Sequence, residues 1–261
     1  MPLKDQIYYQ AHNGEDGGKP PMILIHGAGG THLHWPAEMR RLPGQRVFAI
    51  DLPGHGKSEG RGHQTIDAYV NGILGWLDAM NMFSAIFIGH SMGGAIALTL
   101  ADQHPERVLG LGLVGSGARL RVAPAILENA ANPATFPLAV EAIISWAFSP
   151  QTDQRLIKLA QNRMLETRPS VLHGDFSACN NFDMMTSIHK IQVPTLIVCG
   201  QDDQLTPLRY SQYLTDQIPK AQLTAIPDAG HMVMLEKTSP VVEAVNDFVT
   251  QVPFRPGHST S

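Results

Sequence analysis

The sequence predicts an α/β protein in which helices flank a mostly parallel central sheet. Short apolar runs, typical of buried strands, alternate with segments whose apolar residues recur at helical spacing. The alternation stops near residue 117 and resumes near residue 194. In between, the pattern is helical. We therefore expect a parallel sheet with right-handed crossovers, interrupted by a helical insert.

The first quarter of the chain supplies the first strands and a long helix. Residues 7–10 are predicted to form an edge strand, and the runs 22–25 and 47–50 are predicted as strands buried on both faces. The next helix begins after Thr65, a favourable N-cap residue. Its apolar side chains recur three and four residues apart, which places them on one helical face: Ile66, Tyr69, Val70, Ile73, Leu77 and Met80.

The rest of the sequence is organised around a serine between a strand and a helix. The apolar run 85–88 is typical of a buried strand, and the segment 95–101 consists of helix formers. Between them lies Gly-His-Ser-Met-Gly at residues 89–93. A strand, a tight turn and a helix are the context of a nucleophile elbow, in which larger side chains beside the serine would clash. We therefore predict Ser91 as a nucleophile.

The Gly-x-Ser-x-Gly pattern occurs a second time, at residues 56–60. That copy follows a turn and leads into polar, glycine-containing sequence, with no strand pattern before it and no helix pattern after it. Structural context therefore separates the two copies, and we interpret Ser58 as a loop residue.

The second half of the chain interrupts the sheet and then completes it. A strand is predicted at 108–114, after which residues 119–190 carry helical patterns and no clear strand. Strand patterns return at 194–199 and 223–226, and a terminal helix opens near Ser239. The helices predicted in the insert are 125–129, 137–148, 153–166, 170–179 and 182–188.

Composition and charge favour a folded protein that acts on a small molecule. Of the 261 residues, 43% are hydrophobic and 16% are charged, and the net charge of −4 argues against nucleic acid or an anionic membrane as the main partner. No apolar run approaches the roughly 18 residues of a membrane span, and the first residues lack a signal-peptide pattern. Two cysteines, Cys179 and Cys199, are too few for a disulfide scaffold. We expect free thiols and a cytoplasmic location.

A serine hydroxyl needs a base within hydrogen-bond reach, and the base needs an orienting carboxylate. In a parallel sheet such groups come from loops at the carboxyl ends of strands. The loop after the penultimate predicted strand carries Asp202 and Asp203. The loop after the last strand carries Asp228 and His231. We predict His231 as the base and interpret Asp228 as a turn residue, and the residues alone leave Asp202 and Asp203 as alternatives for the acid.

On its motifs the sequence resembles the α/β-hydrolase fold superfamily, in the small cap-bearing branch of carboxylesterases and enol-lactonase-like hydrolases. The likeness covers nearly the whole chain, with a core at 1–118 and 191–261 and a helical cap at 119–190. Five motifs stand in the family's order: His-Gly-Ala-Gly-Gly at 26–30, a structural turn at 51–58, the elbow at 89–93, Gly-x-x-Asp-x-x-x-Pro at 200–207 and Gly-His at 230–231.

The resemblance implies a catalytic triad and an activity. The family's Gly-x-x-Asp spacing selects Asp203 as the acid, beside Ser91 and His231. A serine hydrolase that cleaves small to medium carboxylic esters is the implied function. Hydrolysis of a lactone or of a C–C bond by the same triad is the alternative within the family. A non-catalytic ligand-binding protein is the alternative of another class, and an ester or lactone is the expected partner of a monomer or homodimer.

Attack on a carbonyl leaves an oxyanion that needs backbone donors already in place. One donor should be the N–H of Met92, which follows the nucleophile. The resemblance assigns the other to the N–H of Ala28, with Gly29 as the alternative.

Other conspicuous residues receive structural interpretations. His26 and His90 lie inside motifs, where we expect them to pack or hydrogen-bond beneath the site. His32 and His34 form a His-x-His pair without a third ligand at suitable spacing, so we expect neither a metal nor a cofactor.

Apolar side chains of the insert are interpreted either as the roof of an acyl pocket or as the insert's own core. Leu33 follows the His-Gly-Ala-Gly-Gly motif at 26–30 and is a further candidate to line the pocket. The residues predicted to bind substrate are Trp35, Trp146, Phe148 and Phe182.

Overall fold

An eight-stranded sheet runs through the centre of the protein, whose computed structural model describes residues 3–12 and 19–254. The spatial order of its strands is β1-β2-β4-β3-β5-β6-β7-β8. The pairs β1–β2 and β2–β4 are antiparallel, and every other neighbouring pair is parallel. This confirms the prediction of a mostly parallel sheet. The strands are β1 (Leu3–Lys4), β2 (Ile7–His12), β3 (Met22–Ile25), β4 (Val47–Ile50), β5 (Ala85–His90), β6 (Val108–Val114), β7 (Thr195–Gly200) and β8 (Ala221–Ile226).

Helices cover both faces of the sheet. They are α1 (Ala37–Arg40), α2 (Ile66–Ala79), α3 (Met92–Gln103), α4 (Pro124–Ala131), α5 (Phe136–Ala147), α6 (Gln154–Leu165), α7 (Pro169–Asn181), α8 (Leu208–Gln217), α9 (Val233–Glu236) and α10 (Thr238–Gln251). The Thr65 side chain caps α2 by accepting the Ala68 N–H, as predicted. Within the described ranges, no helix combines the length and the hydropathy needed to cross a bilayer.

Two apolar clusters, one on each face of the sheet, hold these helices. In β3, Ile23 and Ile25 belong to the cluster formed with α2 and α3. Met22 and Leu24 belong to the cluster formed with α10. Successive side chains of a strand point to opposite faces, so a strand covered on both sides is apolar at every position. This confirms the prediction that the run 22–25 is buried on both faces.

The helical insert, residues 119–190, contains α4 to α7 between β6 and β7. The helix predicted over 182–188 is wrong. Residue 182 is extended, Asp183 forms an isolated antiparallel bridge with Arg119, and a 3₁₀ turn follows at Ile188–Lys190. The bridge joins the first residue of the insert to the segment that follows α7.

Two further elements differ from expectation. The strand predicted at the sheet edge, β2, lies one position inward because the two-residue β1 pairs with it. The helix α8 was not predicted, since its sequence is mostly polar and only Ser211 and Leu214 are buried.

Candidate active site

Ser91 lies between the end of β5 and the first turn of α3, with φ 51° and ψ −113°. A positive φ is uncommon for a residue other than glycine and costs conformational energy. The turn is so tight that a Cβ on Gly89 would lie 2.1 Å from the carbonyl oxygen of Gly93. The two glycines of the motif therefore allow the strained backbone that presents Ser91 at the carboxyl edge of the sheet.

The second motif serine has a different environment. The Ser58 hydroxyl accepts the backbone N–H of Tyr8 at 2.8 Å and donates to the carbonyl oxygen of Asp51. These bonds join β2 to the loop after β4. Ser58 is therefore a loop residue, as its sequence context indicates.

Asp203 and His231 meet at the ends of β7 and β8. The His231 Nδ1 lies 2.9 Å from Asp203 Oδ2. Because a carboxylate accepts there, the proton of the neutral imidazole belongs on Nδ1, which leaves Nε2 free to act as a base. Both side chains are buried.

The Asp203 carboxylate is held ionised by several donors. Its Oδ1 accepts the N–H groups of Leu205 and Thr206 at 2.9 and 2.8 Å, and its Oδ2 accepts the Thr206 hydroxyl at 2.7 Å. Burial raises the pKa of Asp203, but attraction to His231 and these hydrogen bonds outweigh burial and lower it below the usual value. Neighbouring Asp202 instead accepts the Ser149 hydroxyl at 2.6 Å.

Ser91 and His231 line one small cavity of about 70 Å³ together with Ala28. A larger and more open cavity of about 480 Å³ adjoins it and shares His34, Ala160 and Met232 with it. The apolar wall of the small cavity includes Ile143, Ile144, Ala147, Phe176 and Leu205.

Two backbone N–H groups near Ser91 are candidates to contact a ligand, since Ala28 lines the small cavity and Met92 directly follows Ser91. Met92 is the first residue of α3, so its N–H has no intrahelical acceptor. Throughout the described part of the chain, neither this N–H nor that of Ala28 has a hydrogen-bond acceptor. The Gly29 N–H, the alternative from the sequence, donates to Asp175 Oδ2 at 2.8 Å. Ala28 and Met92 therefore remain as the free donors.

None of the four predicted substrate-binding aromatics is among the residues that line this cavity, so their contact with substrate stays a prediction. Trp35 is fully buried in the core beside α10, and Phe182 packs in the cluster on the α3 face. Phe148 is buried where its backbone meets Gly230. On α5, the side that carries Ile143 and Ala147 faces the cavity, which leaves Trp146 40% exposed on another face. Leu33 borders only the larger cavity.

A buried carboxylate in the insert, Asp175 on α7, escaped the sequence analysis. It accepts Gly29 N–H and His55 Nε2–H on Oδ2, each at 2.8 Å, and the Tyr69 hydroxyl on Oδ1. The His55 Nδ1 faces the carbonyl oxygen of Pro53 at 3.1 Å. Burial lowers the pKa of His55, but the charge and hydrogen bond of Asp175 outweigh it and raise that pKa. Because both ring nitrogens face acceptors, these contacts favour the imidazolium form of His55.

The histidines inside the motifs make structural contacts. His26 accepts the Leu52 N–H on Nε2 at 2.9 Å and donates from Nδ1 to the Gly27 carbonyl oxygen at 2.8 Å. His90 donates from Nε2 to the backbone oxygen of His231 at 3.1 Å. Burial lowers the pKa of both imidazoles well below the usual value, so both are neutral at neutral pH.

The two members of the His-x-His pair have separate environments. His32 donates its N–H and directs its Nδ1 to Asp51 Oδ1, each at 2.7 Å. His34 lines both cavities, and burial lowers its pKa to about 4. Across residues 3–12 and 19–254, no three side chains of His, Cys, Asp or Glu are grouped to hold a metal ion.

Known proteins resemble this chain over most of its length. A family model described as alpha/beta hydrolase fold matches residues 20–238. A pimeloyl-[acyl-carrier protein] methyl ester esterase of Neisseria meningitidis serogroup C is 30% identical, over 88% of this chain and 94% of that protein. A 2-hydroxymuconate semialdehyde hydrolase of Pseudomonas sp. (strain CF600) is 28% identical, over 91% and 89%. The solved structure of a thermophilic esterase is 33% identical, with a TM-score of 0.80 over 95% of this chain and 100% of that one.

Proposed function

This chain belongs to the α/β-hydrolase fold family, and from that premise we propose that it is a serine hydrolase that cleaves small to medium carboxylic esters. One observation carries the proposal: His231, whose Nδ1 lies 2.9 Å from Asp203 Oδ2, borders the same cavity as the strained Ser91. Relatives named as esterases, 30% and 33% identical, support ester hydrolysis over other reactions of the family.

In the first half of the proposed reaction, the Ser91 oxygen attacks the ester carbonyl carbon. His231 Nε2 takes the hydroxyl proton as the C–O bond to the enzyme forms. The imidazolium that results is stabilised by the Asp203 carboxylate, which stays ionised. His231 then gives the proton to the departing alkoxide, so that an alcohol leaves and an acyl-enzyme remains.

The carbonyl oxygen becomes an oxyanion during this attack. The N–H groups of Ala28 and Met92 are proposed to donate to it, and the N-terminal end of α3 adds a favourable partial charge. Removing one such donor costs other enzymes about 10²–10³ in rate.

In the second half, a water molecule repeats the attack on the acyl-enzyme. His231 removes a proton from this water and then returns it to Ser91, which releases the carboxylic acid. Atoms balance, since the ester and one water become one acid and one alcohol.

The cavities support a substrate with one short side. The cavity at Ser91 is small, with a volume of about 70 Å³. A longer substituent has room only in the adjoining cavity of about 480 Å³. Esters in which one side of the ester bond is small are therefore the proposed substrates.

Hydrolysis of p-nitrophenyl acetate and butyrate by wild type and Ser91→Ala tests the proposal. We expect clear turnover by the wild type and a loss of at least about 10³-fold in the variant, since the nucleophile is gone. Full activity of a folded Ser91→Ala protein would overturn the assignment.

Hydrolysis of 2-hydroxymuconate semialdehyde is the second candidate. The relative of that name is 28% identical over 91% of this chain, nearly as similar as the esterase. The same assay with this compound decides between them: Ser91-dependent turnover of it, with none of the esters, would replace ester cleavage as the function.

A further inference from the structure

Gly29, next to the proposed oxyanion donor Ala28, is held on both sides by the helical insert. Its N–H donates to Asp175 Oδ2 at 2.8 Å, and its carbonyl oxygen accepts the Thr167 hydroxyl at 2.9 Å. Thr167 lies between α6 and α7, and Asp175 lies on α7. Two side chains of the insert therefore fix both peptide groups that flank one residue of the loop.

The carboxylate that holds Gly29 is itself immobilised. Asp175 is fully buried, and it also accepts a hydrogen bond from the His55 imidazolium and one from the Tyr69 hydroxyl. Buried charges that are paired and fully hydrogen-bonded keep one geometry, because any departure leaves a charge or a donor unsatisfied. The acceptor offered to Gly29 therefore has a fixed position.

Packing closes the loop from the same side. Gly29 has φ +63°, and a Cβ there would lie 2.7 Å from Leu172 Cδ1 on α7. The left-handed φ and the close approach together explain why a glycine stands at this position. The insert leaves the loop little room to change shape.

We propose that Thr167 and Asp175 are positioning residues that set the direction of the Ala28 N–H by clamping the next residue. The inference rests on the proposed serine hydrolase function. The insert, on this view, completes the oxyanion hole in addition to covering the cavity. Because Asp175 occupies the Gly29 N–H, that group is not available to an oxyanion.

The hydrogen bonds of Thr167 and Asp175 to Gly29 should affect the stability of the transition state rather than the binding of substrate. An oxyanion forms only when the carbonyl is attacked, so a misaligned donor lowers kcat more than it raises KM. Displacements of about 1 Å at a reacting group cost up to about 10²-fold. A residue that merely stabilised the fold would change the fraction of folded enzyme and leave the kcat per active site unaltered.

The test uses Thr167→Val, which keeps the side-chain shape and removes the hydroxyl. Thr215→Val on α8 is the matched control. The half-buried Thr215 hydroxyl also donates to a backbone oxygen, that of Ser211, at 2.8 Å, and this substitution removes the bond. A fluorophosphonate label counts the active sites. We then measure the hydrolysis of p-nitrophenyl acetate and its inhibition by butylboronic acid. The tetrahedral adduct of this acid places an oxygen in the oxyanion hole.

We expect kcat per labelled site to fall about 10-fold in Thr167→Val with KM within twofold, and boronic acid binding to weaken by a similar factor. Asp175→Asn should show the same pattern more strongly. Unchanged kcat and boronic acid binding in Thr167→Val would overturn the inference even if the variant melts earlier. If the wild type hydrolyses no more substrate than Ser91→Ala does, the proposed function fails and the inference about Thr167 and Asp175 fails with it. The comparison of wild type with Ser91→Ala therefore distinguishes this outcome from a failure of the inference alone.

Discussion

The Glu236 carboxylate accepts the backbone N–H of Gly230 at 2.9 Å, one residue before His231. Its other oxygen accepts the Ser149 N–H at 2.8 Å and the hydroxyl of Thr152, both in the helical insert. The loop of the proposed base is thus tied to the insert by a single side chain, as Gly29 is tied by Asp175. The insert contacts both halves of the candidate site.

Replacing Glu236 should therefore disturb both stability and activity. In Glu236→Gln one oxygen of this half-buried side chain becomes an amide donor that faces N–H and O–H groups, which costs part of the roughly 1–3 kcal/mol of a fully buried unsatisfied donor. We expect a lower free energy of unfolding in urea and a lower kcat. Glu243→Gln, at an exposed position on α10, is the control and should match the wild type. Equal behaviour of the two variants would show that the link to Gly230 has no role.

The adjacent carboxylates Asp202 and Asp203 provide a matched pair. Asp203→Asn removes the acceptor for His231 Nδ1–H and favours the wrong tautomer, which costs a classical triad enzyme about 10⁴ in kcat. We expect a loss of at least about 10³-fold. Asp202→Asn should stay within about threefold of the wild type because Asp202 contacts Ser149 instead. Steady-state kinetics on p-nitrophenyl acetate measure both, and a larger loss in Asp202→Asn would reverse the assignment.

The size of the small cavity can be tested through α5. Ile143→Ala should enlarge the space at Ser91 and raise the ratio of kcat/KM for p-nitrophenyl hexanoate over acetate about 10-fold, since hydrophobic pockets discriminate by about 1–3 kcal/mol per methylene. Leu138→Ala, 54% exposed on the same helix, is the control. An unchanged ratio in Ile143→Ala would mean that this wall does not contact the substrate.

The ion pair of His55 and Asp175 predicts a pH dependence of stability. The pKa of His55 is raised in the folded state. The contribution of the ion pair to the free energy of unfolding is therefore fully present below the pKa of about 6.5 that histidine has in the unfolded chain. It is lost as the pH rises through the pKa of His55 in the folded protein. Urea unfolding at pH 6 and pH 9 should show a larger loss of stability in the wild type than in His55→Gln. A parallel response of both proteins would contradict a charged His55.

Local patterns sufficed for the sheet and for the strand, turn and helix around Ser91, whereas Asp203 was selected over Asp202 only by the resemblance to the family. The sheet and the turn at Ser91 depend on residues close together in sequence, such as the apolar run before Ser91. The resemblance favoured Ala28 over Gly29, and the structure adds a contact that the sequence does not reveal, because the acceptor of the Gly29 N–H lies 146 residues further along the chain.

Local patterns could not predict which side chains line the cavity at Ser91, or that Asp175 binds Gly29, His55 and Tyr69. The aromatic content of α5 indicates that the helix is partly buried, but only its packing decides that Ile143 rather than Trp146 faces the cavity. Asp175 stands among apolar neighbours on α7, which is a signal that a paired buried carboxylate is present. Its partners His55 and Tyr69 lie 120 and 106 residues away, so sequence spacing does not reveal them.

The central claim is that Ser91 is the nucleophile of an ester hydrolase. It is tested most directly by mixing the protein with p-nitrophenyl acetate and a fluorophosphonate, followed by mass analysis of the labelled peptide, for wild type, Ser91→Ala and Ser58→Ala. We expect one label per chain, on Ser91, and a loss of hydrolysis in proportion to labelling. Ser91→Ala should show neither label nor turnover, and Ser58→Ala should still be labelled. Turnover and labelling that persist in Ser91→Ala would contradict the central claim.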